Sequence, residues 1–403
     1  MKSDAPSSKA RPAIALALAG GGPLGAVYEV GALQALAEAL PGLDFTRLHS
    51  YVGVSAGAFV AAGLANGIQP RDMVRLFIEN EGPDGRLLDP RVFMRPAYGE
   101  YAVRMARLPG AMASALWATA RSLSPARLFS ELRRLAVVVP NGFFDNRAIE
   151  QAVRTLLTRP GRSNDFRELP APLYVVATDL DSGRTVEFGR PELNHVSISR
   201  AIQASAALPV LYAPVQIGAR YYVDGALNKT VHASVALDAG AKLVICINPL
   251  VPFDSTVAQR AQSYLAERGL PTVLSQTFRS LIHSRFEKGV AGYSHTYAEA
   301  RLIVLEPSRG DADLFFANLF SYANRRRLAE HAYQHTRAEL LSRLDALRPV
   351  LAEFGLRFNE RALADPKRRL LPTSQPNHRG RTGQAISQLT RTLDALEIHL
   401  ATR

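Results

Sequence analysis

The segment Gly53-Val54-Ser55-Ala56-Gly57 constrains the fold more than any other part of this chain. The apolar residues 48–52 before it predict a β-strand, and the small apolar residues 58–64 after it predict the start of a helix. The pattern G-x-S-x-G between a strand and a helix is typical of a nucleophile elbow, although chance also produces it in sequences rich in small residues. Glycine at positions 53 and 57 lets strand and helix pass closely, so the turn would push the Ser55 hydroxyl above the sheet edge.

A second strand–helix junction lies earlier in the chain. Residues 14–19 predict a strand, and Gly20-Gly21-Gly22-Pro23-Leu24-Gly25 leads from it into a helical pattern over residues 26–40. A glycine-rich loop at a helix N-terminus points several backbone N–H groups one way and can hold an anion or an oxyanion. Two consecutive β–α units place their junctions at one sheet edge, so we expect this loop beside Ser55. The helix that follows the elbow would aim its own N–H groups at the same place.

The glycine loop has an alternative interpretation as a dinucleotide fingerprint. Gly20, Gly22 and Gly25 fit G-x-G-x-x-G, and Asp44 follows at roughly the separation of a ribose-binding acid. That acid should end the second strand, however, whereas Asp44 precedes the strand and the strand ends in the serine elbow. The sequence therefore favours an oxyanion site over a dinucleotide site.

The third feature is Tyr221-Tyr222-Val223-Asp224-Gly225-Ala226, in which strand-like residues run into an aspartate at a glycine turn. An Asp-Gly pair at a strand end often marks a simple turn. A serine hydroxyl is a poor nucleophile at neutral pH unless a base takes its proton. Asp224 would supply that base, and the turn at Gly225 would let it approach the hydroxyl closely.

A glycine-rich loop, a serine elbow and a later Asp-Gly aspartate, in this order, resemble the patatin-like phospholipase family. The small-residue run Gln203-Ala204-Ser205-Ala206-Ala207-Leu208-Pro209 and the expected helix over 228–241 extend the resemblance, which covers about residues 13–347. It implies an α/β fold: a three-layer α/β/α sandwich with a mostly parallel central sheet, a helical insertion and a helical C-terminal extension.

The resemblance also implies a serine lipid acyl hydrolase that uses a Ser–Asp dyad and no metal or other cofactor. Ser55 would be the nucleophile and Asp224 the base, acting on acyl esters of lipids in the manner of a phospholipase A or lysophospholipase. The oxyanion hole would involve Gly20, Gly21, Gly22 and Ala56, with the N–H groups of Gly21 and Gly22 foremost. Gly53, Gly57 and Gly225 would shape the elbow and the turn.

One position departs from the family pattern. Family members usually carry Arg or Lys where this chain has Leu24. A cation beside the oxyanion hole could hold a phosphate or orient the loop. The absence of this cation puts a preference for phospholipid in doubt and makes a neutral lipid ester more plausible as a substrate.

Two other classes of protein remain as alternatives. A conventional α/β-hydrolase would use a Ser–His–Asp triad, for which His232, His283 and His295 are the later histidines. In that fold several strands precede the elbow, whereas one clear strand precedes the elbow strand here. A catalytically inactive lipid-binding protein is the second alternative. Retention of the loop, Ser55 and Asp224 together argues against it.

The charge balance bears on partners. The chain has 403 residues, 47% hydrophobic, with a formal net charge of +12, which favours an anionic membrane surface or nucleic acid. No zinc spacing or nucleic-acid-binding signature is present, so we expect an anionic membrane and no nucleic acid, unless arginine-rich composition alone explains the charge. Cys246 is the one cysteine and no apolar run reaches the length of a membrane span. We expect a cytoplasmic protein that associates peripherally with a membrane.

Composition divides the chain into segments. Residues 1–12 predict a disordered lead and residues 13–349 the catalytic domain. Within that domain, residues 83–140 approximately predict a helical cap or insertion, basic and amphipathic over 101–139, with breaks at Pro109 and Pro125. Residues 350–403 predict a basic linker and a short amphipathic helix, whose leucine-rich seam over 386–400 would dock on the core or support weak self-association.

Hydrophobic runs and turn residues predict the remaining elements. The expected strands cover residues 173–180, 184–188, 217–223, 243–247 and 301–305, the second returning as a hairpin partner of the first. The expected helices cover residues 147–157, 197–206, 228–241, 257–287 and 321–347. The helix over 257–287 is expected to have a break at 269–271.

Overall fold

The computed structural model describes residues 13–81, 94–121, 139–229, 231–257, 264–317 and 322–371. The predicted disordered lead, much of the predicted cap (residues 82–93 and 122–138, including Pro125) and the predicted C-terminal linker and seam from residue 372 onwards lie outside these ranges.

A mostly parallel central sheet organises the described part of the chain. Its strands are β1 (Ile14–Leu18), β2 (Ser50–Val54), β4 (Leu173–Asp179), β5 (Thr185–Phe188), β7 (Val215–Ile217), β8 (Arg220–Asp224), β9 (Leu243–Ile247) and β10 (Arg301–Leu305). The order is β10-β9-β1-β2-β4-β8-β7, with β5 paired to β4. The strands from β10 to β4 are mutually parallel, whereas β5, β7 and β8 join by antiparallel pairing. A separate parallel pair joins β3 (Gly142–Phe144) to β6 (Val210–Tyr212).

Helices surround this sheet. They are α1 (Gly22–Ala39), α2 (Ala56–Ala65), α3 (Pro70–Met73, continued by one π turn over Val74–Ile78), α4 (Tyr98–Arg121), α5 (Arg147–Leu157), α6 (Ile198–Ser205), α7 (Ala233–Asp238), α8 (Leu270–Thr296), α9 (Ala312–Phe315), α10 (Tyr322–Ser342), α11 (Leu344–Ala352) and α12 (Glu360–Ala364). Short 3-10 turns cover Phe166–Glu168, Gly225–Leu227 and Leu265–Arg268.

Side chains of the central strands pack into two hydrophobic layers. In β1, Leu16 and Leu18 belong to the layer with α1 and α10, whereas Ala15 and Ala17 belong to the layer with α7 and α8. Because parallel strands covered by helices on both faces must bury both sets of side chains, β1, β2 and β9 are fully buried, and β1 and β9 are apolar along their whole length. The predicted α/β fold, with helices around a mostly parallel central sheet and a helical C-terminal region, is confirmed, and Cys246 is buried in the second layer.

Two predicted boundaries are wrong because of local backbone chemistry. The break expected at Pro109 does not occur, since α4 continues through this exposed residue. Proline fits helical φ and removes one hydrogen bond, and the carbonyl oxygen left unpaired can be hydrated on an exposed face. The expected strand over 217–223 is instead two strands, β7 and β8, joined by a tight turn in which Gly218 has φ of 60°.

Other differences concern helix lengths. The helix expected over 228–241 is a 3-10 turn at Gly225–Leu227 followed by the short α7. The helix expected over 321–347 is interrupted at Arg343, between α10 and α11. Of the helix expected over 257–287, residues 258–263 lie outside the described ranges; within those ranges the helix begins at Leu270, after the predicted break, and continues to Thr296.

Glu29 is an acidic residue in the hydrophobic interior. It lies on α1, is fully buried, and neither of its carboxylate oxygens has a hydrogen-bond partner within the described ranges. Burial raises its pKa well above the ordinary value of a glutamate. The carboxyl group is therefore neutral in the folded protein over a range of pH in which the unfolded chain would ionise it.

This difference predicts a pH-dependent stability. Above the ordinary glutamate pKa of about 4.3, unfolding releases the Glu29 proton, so this residue makes unfolding more favourable as pH rises towards its folded-state pKa. Glu29→Gln keeps the shape and removes the titration. We expect the thermal unfolding midpoint of the variant, minus that of the wild type, to increase as pH increases from 5 to 8.

The exposed Glu192 provides the control, because Glu192→Gln removes a carboxylate that is already solvated. Differential scanning fluorimetry at each pH measures both differences. A Glu29→Gln difference that stays constant with pH would contradict the expectation.

Candidate active site

Strands β2 and β8 run towards each other along one edge of β4. The first pairs in parallel, with Val54 opposite Val176, and the second pairs antiparallel, with Asp224 opposite Ala177. β5 occupies the other edge of β4. Because Val176 and Ala177 are adjacent, the carboxyl ends of β2 and β8 meet there. This arrangement brings Ser55, the residue after Val54, to Asp224.

The backbone at Ser55 is strained. Its φ of 53° and ψ of −121° lie in a region that residues other than glycine rarely adopt. A Cβ atom on Gly53 would lie 2.3 Å from the Cα of Ala58, and one on Gly57 would lie 2.3 Å from the carbonyl oxygen of Ala19. The turn therefore requires glycine at both flanking positions, which is the geometry expected of an elbow between β2 and α2.

Ser205 fixes this turn to the sheet. The backbone N–H of Ser55 donates a hydrogen bond of 2.7 Å to the Ser205 hydroxyl, which in turn donates one of 2.5 Å to the carbonyl oxygen of Val176. Ser205 is the last residue of α6 and is fully buried. The run 203–209 stands out in the sequence for its small residues, but no local signal assigns a role to Ser205.

Asp224 lies buried at the end of β8. Its backbone N–H donates to the carbonyl oxygen of Ala207 at 3.0 Å, and its Oδ1 accepts from the N–H of Ala226 at 2.8 Å. Burial raises the pKa of the carboxyl group to about 6, although the hydrogen bonds from Ala226 and from the Ser55 side chain act in the opposite direction. A carboxylate with this pKa is ionised at neutral pH and is a stronger base than an ordinary aspartate.

The glycine loop packs directly against Ser55 and against Ala226, which lies two residues after Asp224. A Cβ on Gly20 would lie 3.2 Å from the Cβ of Ser55 and 3.5 Å from the Cβ of Ala226. Gly21 and Gly22 have φ of 143° and 61°, values that favour glycine, and α1 begins at Gly22. The three sequence motifs therefore converge at one point.

Two helix N-termini also converge there, since α1 begins at Gly22 and α2 at Ala56. The first N–H groups of a helix have no intrahelical acceptor, and the helix dipole adds positive potential at that end. The Ser55 N–H is already occupied by Ser205. The N–H groups of Gly21, Gly22 and Ala56 are thus the candidates to hold a developing negative charge on a substrate oxygen.

The histidines of the alternative triad have other surroundings. His232 is buried, its Nε2 lies 3.4 Å from the carbonyl oxygen of Gly225, and burial lowers its pKa to about 4. The Nε2 of His283 lies 3.3 Å from the Oε1 of Glu287, and both residues belong to α8. Within the described ranges, neither histidine forms a hydrogen bond to Ser55 or Asp224. The side chain of His295 lies outside the described structure.

Three further expectations concern the surroundings of the site. Leu24 packs in part against the hydrophobic core, and its effect on head-group preference stays a prediction. Among the residues that the structure describes, no cluster of His, Cys, Asp and Glu could hold a metal ion. No helix in those ranges has the length and apolar character needed to cross a membrane.

Comparison with known proteins gives a family match. A family model described as patatin-like phospholipase matches residues 16–237. Two similar solved structures are VipD from Legionella pneumophila and the type III effector protein ExoU of Pseudomonas aeruginosa. Each shares 16% sequence identity over 82% of this chain, with TM-scores of 0.33 and 0.34. The chain spans 66% of the VipD structure and 53% of the ExoU structure, less than two thirds of each.

The hydrogen bonds of Ser205 generate a prediction for the elbow. Ser205→Ala leaves the Ser55 N–H and the Val176 carbonyl buried without this partner, at a cost of about 1–3 kcal/mol. A loosened elbow should also react more slowly, and we expect the rate constant for labelling of Ser55 by a fluorophosphonate to fall about tenfold.

Ser199→Ala is the matched control. Ser199 is an equally buried serine on the same helix, but its hydroxyl bonds to Glu150 at 2.9 Å, away from the elbow. Labelling rates are compared at a temperature at which all variants are folded. Equal rates for the two variants would contradict a specific role of Ser205.

Proposed function

Because the segment matched by the family model, residues 16–237, spans more than half of this chain, the chain belongs to the patatin-like phospholipase family, and we propose that it hydrolyses acyl esters of lipids through Ser55 and Asp224. Family membership supports lipid acyl hydrolase activity. The observation that carries the specific assignment is the meeting of Ser55 and Asp224 where β2 and β8 end on β4. The proposed reaction uses no cofactor and no metal.

In the proposed first step, Asp224 accepts the proton of the Ser55 hydroxyl while the serine oxygen bonds to the ester carbonyl carbon. The π electrons of the carbonyl move to its oxygen, which becomes an oxyanion. The raised pKa of Asp224 supports this role, because a carboxylate with a pKa of about 6 takes the proton more readily than an ordinary aspartate.

The N–H groups of Gly21, Gly22 and Ala56 would hold the oxyanion, since both helices that carry them begin at the site. The tetrahedral intermediate then re-forms the carbonyl and breaks the bond to the alcohol, which receives the proton from Asp224. Water completes the cycle: Asp224 accepts its proton, the hydroxide oxygen bonds to the acyl carbon, and Ser55 leaves with the proton restored.

The pKa of Asp224 predicts the pH dependence. A general base works in its ionised form, so kcat/KM for a soluble aryl ester should rise as pH increases through about 6 and level off above it. Asp224→Asn keeps the shape and removes the base. We expect it to cost about a hundredfold or more in kcat/KM at pH 7.5.

Single replacements separate the dyad from a triad. Ser55→Ala should abolish both hydrolysis and fluorophosphonate labelling, whereas His232→Gln, His283→Gln and His295→Gln should retain most activity. Labelling that survives Ser55→Ala would overturn the nucleophile. A histidine replacement that abolishes turnover in folded protein, while substrate still binds, would replace the dyad with a triad.

We also propose that the protein works at the surface of an anionic membrane. The chain carries a net charge of +12, and α4 exposes large apolar side chains. These are Tyr98, Val103, Met105 and Met112. Exposed apolar groups on a basic helix favour insertion into a lipid head-group layer that carries negative charge.

Vesicle sedimentation tests this association. Binding to vesicles with anionic lipid should weaken as salt rises, because surface charges are screened over about 10 Å at 0.1 M salt. Met105→Asp with Met112→Asp should weaken it further at low salt. Leu341→Asp on α10, which replaces another exposed apolar residue, is the control. Equal binding to neutral and anionic vesicles would count against the proposal.

A further inference from the structure

The loop that follows β9 packs against the glycine loop. The Cγ of Pro249 lies 3.1 Å from the position of a Cβ on Gly21 and 3.2 Å from that of a Cβ on Gly25. Leu250 approaches Gly20 in the same way, at 3.8 Å. Residues 249 and 250 therefore support the glycine loop, and we call residues 248–251 the supporting loop.

The two loops leave the sheet side by side. β1 and β9 are paired in parallel along their whole length, and the N–H of Ala19 still donates to the carbonyl oxygen of Ile247 at 3.1 Å. The glycine loop starts at the next residue after Ala19, and the supporting loop starts at Asn248. Beyond this point, the side chains of Pro249 and Leu250 pack on glycines, which have no side chains with which to fix their own position.

Arg279 holds the supporting loop from α8. Its Nη1 donates to the carbonyl oxygens of Pro249 and Val251, at 3.3 Å and 3.2 Å. The side chain is 9% exposed and its guanidinium lies 5.4 Å from the ring centroid of Phe315. One turn earlier on α8, Gln276 exchanges hydrogen bonds with the N–H and the carbonyl oxygen of Phe253, at 3.0 Å and 2.7 Å.

A buried arginine is a costly way to stabilise a loop. Burial lowers the pKa of Arg279 to about 10, with the charge of Asp311 acting in the opposite direction. The guanidinium stays protonated at neutral pH, and charge-assisted hydrogen bonds to main-chain carbonyls compensate part of its lost hydration. These bonds restrict the two peptide groups that contain the carbonyls of Pro249 and Val251, which a hydrophobic side chain could not do.

We infer that Arg279 is a positioning residue for the oxyanion hole: it holds residues 249–251 against Gly20, Gly21 and Gly25 and so sets the direction of the glycine-loop N–H groups. This inference rests on the proposed function of Ser55 and the glycine loop. It assigns a part in the reaction to residues 249–251 and 279, which lie outside the segment matched by the family model.

Arg279→Met tests the inference, because it keeps the length of the side chain and removes the donors. Misplacement of an oxyanion donor weakens binding of the transition state more than binding of the substrate. We expect kcat for a soluble ester to fall about tenfold to a hundredfold, with KM changed less than threefold. Affinity for an alkyl trifluoromethyl ketone, which forms a tetrahedral oxyanion with Ser55, should fall by a similar factor. Affinity for the matching ether, which forms none, should be retained.

Arg337 provides a matched control on α10. It is also a buried arginine that donates to main-chain carbonyl oxygens, those of Ala362, Leu363 and Asp365, and it lies over the ring of Tyr333. Arg337→Met should lower the thermal unfolding midpoint but leave kcat and the affinity for the ketone unchanged. Arg279→Lys, which keeps a charged donor, should recover part of the lost kcat.

Pro249→Ala covers the case in which Arg279→Met does not fold. It removes the ring carbon that packs on Gly21 and Gly25 and leaves Arg279 in place, so it should lower kcat and ketone affinity in the same direction. An Arg279→Met or Pro249→Ala protein that is less stable but keeps both quantities would overturn the inference alone. A wild-type protein without Ser55-dependent hydrolysis or ketone binding would instead overturn the proposed function, and the inference with it.

Discussion

The head-on meeting of β2 and β8 along one edge of β4 is the constraint on which the candidate site depends. A strand in a sheet offers each neighbour a continuous edge, and here two neighbours share that edge from opposite ends. Their carboxyl ends therefore stop at adjacent residues of β4, Val176 and Ala177. Because each strand blocks the path of the other, the residues that follow must leave the plane of the sheet. The proximity of Ser55 and Asp224 is a property of strand pairing, whose hydrogen bonds fix the register.

This meeting point leaves almost no space, and the surrounding residues are small for that reason. A Cβ on Gly225 would lie 2.4 Å from the carbonyl oxygen of Val176, and one on Gly20 would contact Ser55 itself. Close approach also excludes water, which raises the pKa of Asp224 and makes each remaining hydrogen bond matter. Ser205 and Arg279 each supply hydrogen bonds that water would otherwise provide, one beneath the elbow and one behind the glycine loop.

Sequence alone was sufficient for elements whose signals are local. The strands 243–247 and 301–305 and the helix 147–157 have the predicted limits, because a short apolar run or a strong helical period marks each of them. The glycine loop, the elbow and the Asp-Gly turn were also recognisable, since a backbone that must pass close to another backbone tolerates only glycine. Local signals failed where a proline lay on an exposed helix face, as at Pro109, and where a turn needed one glycine, as at Gly218.

The tertiary structure decided which distant residues serve these motifs. Nothing near Ser205 in sequence indicates that its hydroxyl accepts from the N–H of Ser55, 150 positions away. In the sequence, Arg279 is indistinguishable from other basic residues on a helix. Only the packing of α8 against the loop after β9 gives it two carbonyl partners. The sequence by itself determined the backbone shapes of the three motifs, because steric limits act between neighbours in the chain. Their convergence, their desolvation and their support were decided by strand register and helix packing, which depend on contacts between residues far apart in sequence.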